Sequence, residues 1–100
     1  DGCTKDILDT LDLGAKLEAF GFDTVRIDGN DVVALYEALE RTRAGGNKPY
    51  AIVMNTIKGK GVPGVENTAS NHSMTVPAEQ WDAWQKDLIA QLNAMGGEQA

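Results

Sequence analysis

Tyr50-Ala51-Ile52-Val53-Met54-Asn55-Thr56-Ile57 is a nearly unbroken apolar run, followed by polar, glycine-rich sequence. Such runs are typical of strands that are buried on both faces, as in a parallel sheet beneath helices. We therefore predict a buried strand over residues 50–57. This strand decides the fold class, because parallel strands are joined by a crossover connection that is usually a helix.

A helix is predicted immediately before this strand, over residues 31–43. Its apolar residues recur at i, i+3, i+4 and i+7, which marks one helical face: Val32, Leu35, Tyr36 and Leu39. Asn30 is a good N-cap, and Asp31 in the first turn suits the helix dipole. Gly45-Gly46 are expected to end the helix.

A second strand is predicted over residues 22–28. Val25 and Ile27 alternate there with Thr24 and Arg26, which indicates a strand near a sheet edge with one partly solvent-exposed face. Strand, helix and strand in this order predict a right-handed βαβ unit with two parallel strands.

The flanking sequence predicts two more helices. The first covers residues 12–20 and has Gly21 as its C′ residue. The second covers residues 78–95 and ends at Gly96-Gly97. Residues 1–11 are an irregular or partly helical lead-in, and residues 58–77 form a long polar loop. The fold class is α/β, three-layered α/β/α with parallel strands. Two strands are too few for a stable sheet, so residues 1–100 are expected to form part of a Rossmann-like domain.

Composition excludes several classes of function. The net charge of −6 disfavours non-specific nucleic-acid binding. No apolar run reaches the roughly 18 residues that a membrane-spanning helix needs. One cysteine, Cys3, and one histidine, His72, exclude an internal disulfide and a two-histidine metal site. Cys3 is interpreted as inert.

The candidate chemistry lies in Lys58-Gly59-Lys60-Gly61, at the carboxyl end of the buried strand, where parallel sheets bind ligands. Glycines allow the backbone to approach an anion, and lysine supplies positive charge. Spacing alone favours a simpler interpretation, a solvated loop that is basic by chance. His72 lies in the same loop, and histidine is the residue type best suited to proton transfer at physiological pH, although a lone histidine is more often a surface or structural residue.

Two other features have structural interpretations. Asp28-Gly29-Asn30-Asp31 lacks the alternating acids and the terminal glutamate of a calcium loop, so it predicts a turn and a helix cap. Trp81 and Trp84 stand at helical spacing, which favours core packing or a subunit interface over ligand stacking.

A family resemblance rests on several motifs. Asn55 to Val62, then Gly64-Val65-Glu66-Asn67 and then His72 resemble the last part of the thiamine-diphosphate-binding domain of transketolase. The resemblance covers nearly the whole chain, because segments upstream of Asn55 also match the family pattern. These segments are Asp1-Gly2, Leu17 to Phe22, Ile27-Asp28-Gly29-Asn30-Asp31 and Ala34-Leu35.

The resemblance implies a site. Lys58 and Gly59 would bind the cofactor near its diphosphate, and His72 would reach both the cofactor and the sugar substrate as a catalytic residue. The cofactors would be thiamine diphosphate and Mg²⁺, with the metal ligands outside this chain, upstream of Asp1. The family usually has Trp-His-Gly where this chain reads Asn71-His72-Ser73.

The resemblance also implies a context. The absence of a second domain after Ala100 suits the N-terminal subunit of a split transketolase. Its substrates would be sugar phosphates, and its partner would be the C-terminal transketolase subunit. An oligomer in the cytoplasm is expected, and the isolated chain is expected to be inactive. The alternatives are a deoxyxylulose-phosphate synthase-like transferase and a noncatalytic interaction module that docks through the Trp81/Trp84 helix.

Overall fold

The computed structural model describes residues 2–96, so the predictions for Asp1 and Gly97 lie outside it. In chain order, the elements are helix α1 (Thr4–Ile7), helix α2 (Leu13–Ala19), strand β1 (Asp23–Asp28), helix α3 (Val32–Glu40), strand β2 (Tyr50–Asn55) and helix α4 (Ala78–Ala94). A 3-10 turn, Arg41–Ala44, follows α3, and residues 56–77 form a loop of successive turns.

The two strands pair in parallel, in a register that runs from Asp23 opposite Tyr50 to Asp28 opposite Asn55. The predicted βαβ unit is therefore confirmed. In the described part of the chain the sheet contains only these two strands, so each of them has one open edge. β2 ends two residues before the predicted boundary.

Side-chain contacts place helices on both faces of the sheet. Arg26 points to one face, where its guanidinium donates to the Glu18 carboxylate of α2 at 2.9 Å. Asp23 and Tyr50 point to the other face. There Arg41, just after α3, donates to Asp23 at 3.0 Å and lies 5.3 Å from the centre of the Tyr50 ring. The fold is thus three-layered α/β/α, as predicted.

The end of α2 follows the sequence signal closely. Gly21 has φ 92°, a left-handed conformation that glycine adopts without steric cost. Its N–H donates to Glu18 O at 2.9 Å, and the Phe22 N–H donates to Leu17 O at 3.1 Å. These two bonds form a Schellman motif, which satisfies carbonyls that the helix end leaves free.

The predicted cap and end of α3 are wrong. Asp31, not Asn30, is the N-cap, and its side chain accepts from the N–H groups of Val33 at 2.9 Å and Ala34 at 3.2 Å. The α-helix ends at Glu40 rather than near residue 43, because its last turn tightens into a 3-10 turn.

The predicted burial of the central unit is also wrong. Val32, Tyr36 and Leu39, three residues of the predicted α3 face, are more than half exposed, whereas Ala38 is buried. β2 is half-buried rather than buried, and its Met54 is exposed. A two-stranded sheet with few helices leaves much of its apolar surface uncovered.

Helix α4 is confirmed, and Pro77 precedes it without a side-chain cap. Trp84 is its buried residue and packs near Gly64 of the loop. Trp81 meets Trp84 edge to face, with ring centres 5.6 Å apart, yet Trp81 remains 58% exposed. The rest of its apolar stripe is exposed as well: Leu88, Leu92 and Met95.

The molecule has more surface than a compact chain of its mass. Its accessible area is 7928 Å², whereas a compact monomer of 10.7 kDa exposes about 5,500 Å². Its radius of gyration is 17.9 Å, against about 13 Å for a compact 100-residue domain. The fold is therefore a partial α/β domain with uncovered apolar surface.

Among residues 2–96, no helix has both the length and the apolar character needed to cross a bilayer.

Candidate functional site

The end of β2 is fastened to the turn that follows β1. The Gly29 N–H donates to Asn55 O at 2.8 Å, which continues the sheet pairing past both strands. The Asn30 side-chain oxygen then accepts from the Ile57 N–H at 2.7 Å. These two bonds fix the backbone directly before Lys58. The motif that contains Gly29 and Asn30 therefore supports the candidate loop in addition to starting α3.

The loop turns back sharply at Gly59. This residue has φ 76°, and an added Cβ would lie 2.7 Å from Val65 Cγ1 and 3.2 Å from Val65 O. Both the left-handed conformation and the close approach therefore require glycine. The Asn67 N–H donates to Lys58 O at 3.0 Å and closes the turn.

The side chain of Asn71 forms hydrogen bonds that close the loop. Its side-chain amide donates to Val65 O at 2.9 Å, and Thr68 Oγ donates to the same oxygen at 2.9 Å. Asn71 stands where the family usually has tryptophan, and here it holds the loop closed by hydrogen bonding.

A cavity of about 480 Å³ lies beside Lys58, and we call it the Lys58 cavity. Its lining comes from the N-terminal segment, the end of β2 and the loop: Gly2–Lys5, Asn55, Thr56, Lys58, Asn67, Thr68 and Asn71. Two of these residues are lysines, and none is an aspartate or glutamate. Two further cavities, of about 720 and 570 Å³, both have carboxylates in their walls.

The structure does not bring all the predicted site residues to this cavity. Lys58 lines it, but Gly59 and His72 do not. His72 is exposed and follows Asn71, which does line the cavity. Lys5 lines the cavity although sequence analysis missed it, because nothing in the pattern of the lead-in links it to a loop so far along the chain.

Arg26, on the face of the sheet that α2 covers, already forms ion pairs with two carboxylates. Arg26 donates to Asp12 at 3.1 Å and to Glu18 at 2.9 Å. The Ala15 N–H, together with Arg26, holds the pKa of Asp12 below its ordinary value. The hydrogen bonds that Arg26 donates to Asp12 and Glu18 raise the pKa of Arg26. Its charge is therefore compensated locally, whereas neither cavity lysine forms an ion pair within the described part of the chain.

Within residues 2–96 no three histidine, cysteine or acidic side chains come together in a metal-binding arrangement.

Comparison with known proteins gives the family. The profile described as "Transketolase, thiamine diphosphate binding domain" matches residues 1–93. The chain belongs to the transketolase family. The resemblance seen in the motifs is thus confirmed.

Transketolase relatives match different shares of the chain. Transketolase-like protein 2 of Bos taurus is 43% identical over 67 residues, which are 67% of this chain and 11% of that protein. The 6-deoxy-6-sulfo-D-fructose transketolase subunit SqwG of Clostridium sp. (strain MSTE9) is 36% identical over 96 residues, 96% of this chain and 34% of that protein. An apulose-4-phosphate transketolase subunit of Actinobacillus succinogenes is 39% identical over 71 residues, 71% of this chain and 25% of that protein.

The chain therefore spans about a tenth to a third of the length of these relatives. Two of the three are named as subunits, which agrees with the predicted likeness to split transketolases.

Proposed function

We propose that this chain is the C-terminal part of the thiamine-diphosphate-binding domain in the N-terminal subunit of a split transketolase. The whole enzyme transfers a two-carbon ketol unit between sugar phosphates, as an oligomer in the cytoplasm together with a C-terminal subunit. The observation that carries the proposal is the Lys58 cavity, at the carboxyl end of a parallel strand. Family membership and the likeness to named subunits support it.

The residues of the cavity fit the diphosphate of the cofactor. Among residues 2–96, two lysines and no aspartate or glutamate line it, and this donor set suits an anion although the chain carries a net charge of −6. Lys58 offsets phosphate charge, and Gly59 gives the backbone the turn that presents Lys58. Mg²⁺ is held by residues other than those of this chain. Thiamine diphosphate, when bound, supplies the carbanion chemistry of the reaction.

His72 acts on the sugar substrate in this proposal. Its exposed position in the loop leaves both ring nitrogens available. An imidazole near the reacting carbon donates a hydrogen bond to a substrate oxygen, or takes and returns a proton there. Because His72 lies outside the wall of the Lys58 cavity, its part in catalysis is separate from holding the diphosphate.

A two-part experiment tests the proposal. These 100 residues alone should bind thiamine diphosphate weakly or not at all and show no ketol transfer. An exposed ion pair contributes about 0–1 kcal/mol, whereas millimolar binding already needs about 4 kcal/mol. The intact protein with its partner should bind the cofactor tightly and transfer ketol units. Calorimetry and coupled kinetics measure both, and tight magnesium-dependent binding by the 100 residues alone would contradict the proposed location of the site.

A second function is favoured by the exposed stripe of α4. Trp81 is 58% exposed and Leu92 55% exposed, and exposed apolar stripes of this kind mark interaction surfaces. In this alternative the chain is a noncatalytic docking module. The reconstituted pair discriminates between the two, because a docking module assembles through α4 and does not need Lys58 or His72.

A further inference from the structure

The N-terminal segment brings a second cation to the Lys58 cavity. Lys5 lies in the four-residue helix α1, and it lines the same cavity as Lys58 although the two are far apart in sequence. Among the described residues, neither lysine has a carboxylate oxygen within 4 Å of its ammonium group, whereas Lys60 pairs with Glu66 at 3.7 Å. Within residues 2–96, the cavity therefore carries two positive charges that no ion pair offsets.

The rest of the lining supplies neutral polar groups rather than competing charge. Thr56 and Asn67 stand beside Lys58 in the cavity wall. Hydroxyl and amide groups can donate to anionic oxygens, whereas a carboxylate would repel them. Two lysines and neutral polar residues in the lining of one cavity match a group that carries more than one negative charge.

We propose that Lys5 and Lys58 act together as a two-lysine phosphate-binding site, in which Lys5 is a second binding residue. The ligand chemistry is a diphosphate or a phosphate ester. This inference deepens the proposed function and rests on it for the identity of the ligand. Each lysine acts as a point charge on a flexible stem, so both ammonium groups can adjust to an anion bound in the cavity that they line.

Calorimetric titration of the intact, cofactor-free protein with inorganic pyrophosphate tests the site directly. Lys5→Met and Lys58→Met should each raise the Kd about two- to fivefold, the range for exposed ion pairs. Lys5→Arg should keep the affinity. Lys86→Met on α4 is the matched control, because it removes the same charge from an exposed lysine that lines none of the three cavities.

The dependence of the Kd on salt gives a readout that a structural role of Lys5 would not change. Affinity for pyrophosphate should fall with ionic strength, and it should fall less steeply in Lys5→Met, because one screened interaction has been removed. An unchanged melting temperature in Lys5→Met, together with recovery in Lys5→Arg, shows that the fold is intact.

Two further titrations identify the source of the phosphate. Weaker binding of thiamine diphosphate with Mg²⁺ by Lys5→Met assigns the site to the cofactor. Unchanged cofactor binding with a raised KM for a pentose phosphate assigns it to the substrate. Pyrophosphate affinity equal to wild type in Lys5→Met overturns the two-lysine site. Failure of the wild-type protein to bind thiamine diphosphate overturns the proposed function instead, and Lys5-dependent pyrophosphate binding would still stand.

Discussion

Gly29 is a position at which a single methyl group should be costly. An added Cβ would lie 2.6 Å from Met54 Cβ and 2.6 Å from Thr56 Cγ2, and 3.3 Å from Met54 Cα. Carbon atoms pack best at about 3.5–4.0 Å, so two contacts fall short by about 1 Å. Met54 belongs to β2 and cannot swing aside as the tip of a long side chain can. Overpacking of this kind costs about 1–3 kcal/mol, so Gly29→Ala should destabilise the protein by about 2 kcal/mol.

Gly46→Ala is the matched control, because a Cβ at Gly46 meets no atom within 4 Å. It should be neutral or stabilise by up to about 1 kcal/mol, through loss of freedom in the unfolded chain. Urea unfolding of both variants in the intact protein, followed by circular dichroism, measures the difference. A gap of 2 kcal/mol is about a 30-fold change in the folding equilibrium. If Gly29→Ala is as stable as Gly46→Ala, the close approach of this turn to β2 is wrong.

Substitutions at four further positions test other parts of the structure. Asn30→Leu should destabilise by about 1 kcal/mol because a backbone N–H after β2 loses its acceptor, while Asn30→Asp keeps that acceptor and should lose less in the same urea assay. A backbone N–H of α2 and then Arg26 lower the pKa of Asp12 from 3.8, so its carboxylate stabilises the fold above that pH and loses the contribution as pH falls through the lower folded value. Asp12→Asn should therefore flatten the rise of stability with pH in the window at and below about 4, as measured by melting temperature against pH. Lys58→Ala should mainly weaken cofactor affinity in calorimetry and leave turnover at saturating cofactor nearly unchanged. His72→Ala should lower kcat more than it changes cofactor affinity, and equal losses in both would contradict the division of roles.

Local patterns predicted the parallel pair and the helix ends that local chemistry decides. The apolar run of β2 and the alternation in β1 were enough for the βαβ unit. Gly21 was identified because a C′ glycine is a signal contained within a few residues. Lys58 was selected as a candidate for a similar reason, since sequence order already defines the carboxyl end of a parallel strand, but its role came from the family resemblance and stays a prediction.

Contacts between distant residues could not be predicted in this way. Asn30 and Asp31 are both good caps, and the choice between them depends on Ile57, a partner beyond α3. Lys5 joins Lys58 through tertiary folding of a short lead-in helix. The periodicity of α3 showed that one face is apolar but not what covers it, so Tyr36 was predicted to be buried and is 62% exposed.

The open edges of the sheet affect how the protein must be produced. Each edge presents backbone N–H and C=O groups that a strand from another molecule can pair with. The strand Tyr50–Asn55 has no proline and no charged residue, and such six-residue segments are prone to self-association. Losses to aggregation during refolding should therefore grow with protein concentration. A lysine placed on the exposed side of this strand, at Met54, should reduce those losses, because charge on an edge blocks strand addition.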